Sequence, residues 1–280
     1  MASRGRRKFL ATLLSAVVAP RLAGPALGKS IHEIGLQLFT VRDLLERDFE
    51  GTLAGIAGLG YRQVEFAGIV GPSPRQALSV LKRHGLVAPS SHAGSYEQLE
   101  SQLPRILQDA NERDQKFIVC GFLDESRRRS LDDWKRVCQT FNSIGERAKK
   151  AGLGFAYHNH DFEFMPMDGQ IPYDIVLAET DPGLVKMEID LYWMAKAKRD
   201  PVAYFQRYPA RFPLVHIKDM ARDGTITDVG KGVIDFKRIL GYATLAGIAH
   251  YFVEHDNPTD PMLSIETSLR YVQQLGLRPG

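Results

Sequence analysis

The sequence predicts a (β/α)8 barrel, and three observations support this fold class. Eight short apolar segments alternate with eight amphipathic segments along most of the chain. Spread over about 250 residues, this alternation matches the strands and helices of such barrels. Most of the apolar segments end in His, Asp or Glu. A doubly wound sheet is the competing fold, but residues 38–42 lack the glycines that it requires after its first strand.

The predicted strands are short and apolar and lead into polar residues. In chain order they cover residues 33–39, 63–67, 86–91, 117–122, 154–158, 185–190, 214–218 and 251–255. Several end just before an amphipathic segment, as β-strands do in repeated β–α units. We therefore expect one parallel sheet closed into a barrel.

The predicted helices carry start and stop signals. Ser73 precedes Pro74 at a helix start, and Ser130 with Asp133 resembles a capping box. Helices are expected at residues 49–60, 74–85, 96–113, 131–152, 173–180, 201–208, 235–246 and 262–275. Two extended loops are expected at 165–172 and 221–233, and no linker divides the chain after its leader.

The charge of the chain is concentrated near its start. Net charge is +3, and six of the 36 Lys and Arg residues precede residue 30, where no Asp or Glu occurs. The rest of the chain therefore carries 30 basic against 33 acidic residues. This balance does not favour a nucleic-acid partner, which would need a basic surface.

The first residues have the pattern of an export signal. Arg6-Arg7-Lys8 precedes an apolar run that ends at Ala19, and Ala26-Leu27-Gly28 is a small-residue cleavage candidate. The run is too short to span a bilayer comfortably. We expect a Tat-type signal peptide at residues 1–28, a single barrel domain at 29–280, a periplasmic location and no stable membrane span after processing.

Candidate functional residues lie at the predicted strand ends. His158 and His160 follow the fifth strand and face the same side, because they are two residues apart. The carboxyl ends of all strands meet on one face of a barrel, so side chains from different strands can share one site. The other strand ends contribute Glu65, His92, Asp190, His216 and Glu254.

The residue types indicate a divalent metal. Carboxylates and imidazoles without a thiolate suit Mn, Zn, Co or Fe, and we expect Mn or Zn first. An all-oxygen Mg or Ca site fits the histidines less well.

The strand-end motifs resemble the sugar phosphate isomerase/epimerase family of the xylose isomerase-like TIM barrel superfamily. The resemblance covers nearly all of the chain after the leader. It rests on Glu65 after a Gly-Tyr turn, the end of the fifth strand, Glu188-Ile189-Asp190, His216-Ile217-Lys218-Asp219, Gly230-Lys231-Gly232 and Glu254.

The resemblance implies a metal site built from four strands. In the family's epimerases a Glu, an Asp, a His and a Glu from strands five to eight hold the metal. The matching positions are His158, Asp190, His216 and Glu254. His158 departs from the pattern and removes one of the two carboxylates that those epimerases use as an acid/base pair. His160 or Glu163 are the alternative ligands from the fifth strand.

The resemblance also implies substrate contacts and a reaction class. The family's substrate-binding positions match Trp193 and Arg222. Glu65 and His92 would line the barrel mouth and contact the substrate there, and Lys218 would be a substrate contact or an ion-pair partner. The catalytic base would be Glu254 or His160. We expect a metal-dependent isomerase or epimerase that acts on a free sugar or keto-sugar through an enediolate. The alternatives are a lyase or hydratase on a 3-keto-sugar or inosose-like substrate, and a non-catalytic periplasmic sugar-binding protein. A homo-oligomer is compatible with these roles.

Overall fold

The computed structural model describes Met1 and residues 33–68 and 71–276. The expected signal peptide lies outside this part of the chain, apart from Met1. Among the described residues no helix combines the length and apolar content needed to cross a membrane.

Eight parallel strands close into a barrel, which confirms the predicted fold class. Each strand pairs with its neighbours in sequence, and the first pairs with the eighth. The barrel strands are Ile34–Gln37, Gln63–Ala67, Val87–His92, Phe117–Cys120, Gly154–His158, Val185–Asp190, Leu214–Ile217 and His250–Val253. The second, fifth and sixth have the predicted bounds, and the others differ by a few residues.

Helices pack around the barrel, and most of them correspond to the predicted ones. The principal helices are Phe49–Leu59, Pro74–Arg83, Tyr96–Glu112, Leu131–Lys150, Pro172–Glu179, Pro201–Arg207 and Pro261–Gln274. The helix predicted at 235–246 is instead two short helices, Phe236–Leu240 and Ala243–Ala246, separated at Gly241. Glycine has a low helix propensity, which accounts for the interruption.

The chain leaves the first strand earlier than predicted. The Gln37 side chain accepts a hydrogen bond from the Phe39 backbone nitrogen (3.1 Å) and begins a 3-10 helix, Leu38–Val41. A further helix, Arg42–Arg47, follows. The predicted strand 33–39 thus ends at Gln37, because a side-chain cap competes with continued sheet pairing.

A short helix and a short hairpin near the carboxyl ends of the strands were also not predicted. The helix Leu191–Lys196 follows the sixth strand directly, and Asp190 caps it by accepting a hydrogen bond from the Trp193 backbone nitrogen (3.0 Å). The loop predicted at 221–233 contains half of a short antiparallel hairpin, Asp219–Met220 with Ile226–Thr227.

The barrel interior is apolar toward the amino ends of the strands and polar toward their carboxyl ends. Val119, Ala156, Leu214 and Phe252 form a small cluster separate from the main core between strands and helices. Successive side chains of a strand point to opposite faces, so every second residue points into the barrel. The next inward residues after Ala156 and Leu214 are therefore His158 and His216. The apolar cluster therefore forms the floor of the polar layer described next.

Candidate metal and active site

Polar side chains from six strands converge inside the barrel at its carboxyl end. Glu65, Glu188, Asp190 and His216 are completely buried, and His158 and Glu254 nearly so. Two overlapping groups have donor atoms close enough to hold a metal ion: Asp190 with His216 and Glu254, and Glu188 with His92, His158 and His216.

The outer group lies at the strand ends. His216 Nδ1 is 2.9 Å from Glu254 Oε2 and 3.9 Å from Asp190 Oδ2. His158 Nε2 is 3.9 Å from the same Asp190 oxygen. The structure thus brings together all four residues predicted as metal ligands. The fifth strand contributes His158 to these contacts.

The inner group is one layer deeper. Glu188 precedes Asp190 by two residues and faces the same way, and its Oε2 is 2.7 Å from His92 Nε2. Glu65 Oε2 accepts a hydrogen bond from Gln37 Nε2 (2.7 Å) and lies 2.7 Å from His216 Nε2. Glu188 and Gln37 were not predicted, although the period-two rule applied to Asp190 would have identified Glu188.

A lysine occupies the edge of the outer group. Lys218 Nζ lies 3.1 Å from Glu254 Oε2 and 3.6 Å from Asp190 Oδ2, and it also contacts Asp256. Burial alone would lower the pKa of Lys218, but the three carboxylates raise it, so the amine stays charged. Asp256 is another contact that sequence analysis missed, two residues after Glu254 on the same face.

The titration of the outer carboxylates is set by burial and by this ammonium. Burial raises the pKa of Asp190 to about 7. Burial also opposes ionisation of Glu254, but Lys218 and His216 hold the pKa of Glu254 well below its usual range. Glu254 is therefore ionised at neutral pH.

The other two residues considered for the fifth strand lie beside the cluster. Burial lowers the pKa of His160 to about 2, and its ring is 5.1 Å from that of His158. Glu163 accepts hydrogen bonds from the Tyr157 hydroxyl (2.6 Å) and the His160 backbone nitrogen (2.9 Å). Burial raises the pKa of Glu163 to about 8. Glu163 thus fixes the turn after the strand.

The predicted substrate contacts occupy different depths. Trp193 is partly buried, with its ring 5.2 Å from that of His160 and 5.4 Å from Lys218 Nζ. His92 and Glu65 belong to the inner group. Arg222 is exposed on the hairpin after the seventh strand, and no ion pair or hydrogen bond joins it to the described cluster.

Asp219 anchors the loop that follows this hairpin. Its carboxylate accepts hydrogen bonds from the backbone nitrogens of Gly230 (2.9 Å), Gly232 (3.0 Å) and Ile234 (3.3 Å). A Cβ on Gly232 would lie 2.2 Å from Asp219 Oδ1, so only glycine allows this approach. The Gly230-Lys231-Gly232 motif therefore forms a fixed connection beside the site.

The donor set fits a divalent cation. Among the described residues, Asp190 Oδ2, Glu188 Oε1 and Glu65 Oε1 are buried without a hydrogen-bond partner. Buried carboxylate oxygens are normally hydrogen-bonded or bound to a metal. Two imidazoles and two carboxylates without thiolate are ligands of Mn, Zn, Fe or Co.

The cluster lies at the carboxyl ends of the strands, where enzymes with this barrel fold have their active sites. The chain belongs to the xylose isomerase-like TIM barrel family, whose pattern matches residues 53–275. This family lies within an enzyme superfamily.

Two curated relatives share about a quarter of their residues with this chain over the aligned regions. An inosose dehydratase from Lacticaseibacillus casei is 28% identical over 149 residues, which cover 45% of this chain and 49% of the relative. An inosose dehydratase from Salmonella agona is 24% identical over 234 residues, 70% of this chain and 77% of the relative. The chain spans about half the length of the first curated relatives it matches.

A solved structure matches over a larger share of the chain. A sugar phosphate isomerase/epimerase from Parabacteroides distasonis has 27% identity and a TM-score of 0.75, covering 91% of this chain and 98% of that one.

Proposed function

We propose that this protein is a metal-dependent isomerase or epimerase of a free sugar or keto-sugar. The observation that carries the proposal is the buried group of Asp190, His216 and Glu254 at the carboxyl end of the barrel, with His158 Nε2 3.9 Å from Asp190 Oδ2. The similarity to a sugar phosphate isomerase/epimerase supports the same reaction class.

The metal would be held by His158 Nε2, His216 Nδ1 and the carboxylates of Asp190 and Glu254, with Mn or Zn as first candidates. When bound, a divalent ion supplies Lewis-acid stabilisation of the negative charge that develops on a substrate oxygen.

The side chains around this position would move and hold protons. Glu254 is ionised at neutral pH and is the better base, because the pKa of His160 is lowered to about 2 by burial. Lys218 is a permanent hydrogen-bond donor beside Glu254 and would orient a substrate oxygen. The partly buried Trp193 would cover one side of the sugar and exclude water.

A lyase or hydratase on a 3-keto-sugar or inosose-like substrate is the second candidate. The inosose dehydratase relatives favour it. So does His158, which replaces the second carboxylate of a facing pair. Loss of water also needs stabilisation of the leaving hydroxyl group, and the Lys218 ammonium beside Glu254 would donate a hydrogen bond to it.

The proposed periplasmic location bears on the substrate. Phosphorylated sugars are mainly cytoplasmic, so export would favour a non-phosphorylated sugar. We propose this location on the leader sequence alone.

The test combines metal analysis with isotope exchange. Protein loaded with Mn²⁺ or Zn²⁺ is incubated with free and oxidised sugars in deuterated water and followed by NMR. Deuterium uptake with a new epimer or isomer is expected, and a dehydrated product would select the second candidate. Sugar binding without exchange would refute both and leave a binding protein.

A matched pair of variants controls this experiment. Asp190→Ala should lose both bound metal and exchange, since Asp190 supplies a buried ligand oxygen. Asp223→Ala changes a fully exposed carboxylate on the hairpin and should retain both. Full exchange by metal-free protein would contradict metal dependence.

A further inference from the structure

Phe122 presents an exposed aromatic ring at the carboxyl end of the barrel. It follows the fourth strand by two residues and is 44% exposed. Only one other phenylalanine, tyrosine or tryptophan of the described residues is exposed, Phe39 after the first strand. The Arg42 guanidinium covers the Phe39 ring at 4.1 Å from its centroid, and no Lys or Arg in the described part of the chain covers Phe122 in this way. None of the roles assigned above uses Phe122.

The backbone around Phe122 is held against the candidate site. A Cβ on Gly121 would lie 2.4 Å from His92 Nδ1, so the chain packs directly on the inner group just before Phe122. The Cys120 thiol donates a hydrogen bond to the Phe122 carbonyl oxygen (3.6 Å). Because the position of the residue is already fixed, a ligand that contacts the Phe122 ring would not have to order this part of the loop.

Ring contacts connect Phe122 with the outer group. The His160 ring lies 5.1 Å from the His158 ring, and the Phe122 ring lies 5.5 Å from that of His160 in an edge-to-face arrangement. Phe162 stacks on His160 at 5.4 Å and lies under the Arg128 guanidinium, 3.7 Å from its ring centroid. Phe162 is therefore covered by protein groups, whereas Phe122 at the same cluster keeps a large part of its surface in solvent.

We propose that Phe122 forms a subsite for a second ring attached to the reacting sugar, so that the protein prefers glycosides to monosaccharides. The inference rests on the proposed function, which places the reacting sugar at the outer group beside Trp193. His160 separates Phe122 from His158, so a ring on Phe122 would lie next to that sugar. Aromatic side chains commonly line ligand sites, and contacts to a part of the substrate that does not react can support the reaction.

The surroundings of Phe122 favour a small ligand over a protein partner. A stable protein–protein interface buries about 800 Å² on each partner, and its centre is depleted of charged residues. The residues that follow Phe122 in its loop are mostly charged and exposed: Asp124, Glu125, Arg127 and Arg129. One aromatic ring beside such residues and beside the candidate site fits a single ring of a ligand.

The experiment uses methyl and phenyl glycosides as probes. Full-length protein is titrated with the methyl and phenyl β-glycosides of glucose, galactose and xylose, and binding is followed by saturation-transfer difference NMR. At least one phenyl glycoside should bind about 3–10-fold more tightly than its methyl counterpart, as expected for one aromatic contact. Its phenyl protons should receive saturation from the protein.

Variants of Phe122 separate a contact with the ligand from a structural role. Phe122→Ala and Phe122→Leu should remove the preference for the phenyl glycoside, because neither has a ring, and Phe122→Tyr should keep it. Leu245→Ala is the matched control, since Leu245 is 40% exposed in the short helix before the eighth strand, and it should keep the preference. A general loss of structure would weaken both glycosides alike, so the ratio of the two affinities is the readout.

Two results would overturn the proposal. One is that no phenyl glycoside binds more tightly than its methyl counterpart, which includes the absence of binding. The other is a phenyl preference that persists in Phe122→Ala. Deuterium exchange in a free sugar without a phenyl preference would refute the subsite and leave the proposed function standing. A phenyl preference lost in Phe122→Ala, in a protein without metal binding or exchange, would support the subsite and refute the proposed function.

Discussion

Replacing Lys218 with Met tests whether the outer carboxylates need a cation between them. Lys218 is 2% exposed, and its ammonium contacts Asp190, Glu254 and Asp256. Methionine keeps an unbranched apolar side chain but carries no charge. Without metal, the variant leaves three carboxylates in a buried site with no ammonium partner.

The expected size of the effect follows from burial. Removing one partner of a buried ion pair costs about 3–5 kcal/mol. Because 1 kcal/mol shifts Tm by about 2–4 °C in domains of roughly 150–250 residues, metal-free Lys218→Met should unfold about 6–20 °C below the wild type. A divalent ion replaces the lost charge and no longer competes with the ammonium for Asp190 and Glu254. Added Mn²⁺ or Zn²⁺ should therefore raise Tm more in the variant than in the wild type.

The assay is thermal unfolding by circular dichroism, with chelator and with increasing metal. Lys231→Met is the matched control, because Lys231 is exposed and pairs with Asp228 three residues earlier, a surface contact of little energetic value. It should behave like the wild type in both conditions. A metal-induced rise in Lys218→Met no larger than that of the wild type would refute the reasoning.

Three further predictions concern the same cluster and its surroundings. His216→Ala should abolish bound metal and turnover, measured by elemental analysis and product NMR, and activity in the metal-free variant would contradict this. Burial raises the pKa of Asp190 to about 7, and a proton must leave this carboxyl group before a metal ion binds. Metal affinity should therefore fall about tenfold per pH unit below that value. An affinity that is independent of pH from about 5 to 7 would exclude Asp190 as a ligand. Burial raises the pKa of Glu163 to about 8 from an ordinary 4.5, so the folded protein holds a proton that the unfolded chain releases, and this contribution to stability should decline as pH rises between those values. Glu163→Gln should flatten that part of the curve of Tm against pH, and an unchanged slope would argue against the raised pKa.

Strand periodicity made the fold predictable, and together with the family resemblance it identified the residues of the outer group. Each predicted strand ends at the carboxyl face, and its inward positions follow from a period of two. Asp190 and His216 pair directly across neighbouring strands, as this argument requires. The same rule would also have identified Glu188, two residues before Asp190, but the sequence pattern gives no separate signal for a deeper layer. Asp256, two residues after Glu254, was missed in the same way.

Local side-chain caps and loop directions could not be read from the pattern. Gln37 ends the first strand by a hydrogen bond to its own turn, and Asp190 starts a helix while facing the cluster. Arg222 matches a family position by spacing, yet spacing does not fix where a hairpin points its side chains. The two caps are local hydrogen bonds from a side chain to a nearby backbone nitrogen, and such bonds leave no periodic signal in a single sequence.

The anchoring of the loop by Asp219 has a consequence for redesign of the protein. Because the carboxylate holds backbone nitrogens, the path of the loop depends on its glycines and on Asp219, while the side chains of Lys231 and Val233 remain exposed. New residues can therefore be introduced at these two positions with the main chain held in place. Under the proposed function, the loop after the seventh strand offers a fixed main chain on which side chains for a different sugar can be tested without changing His216 or Lys218.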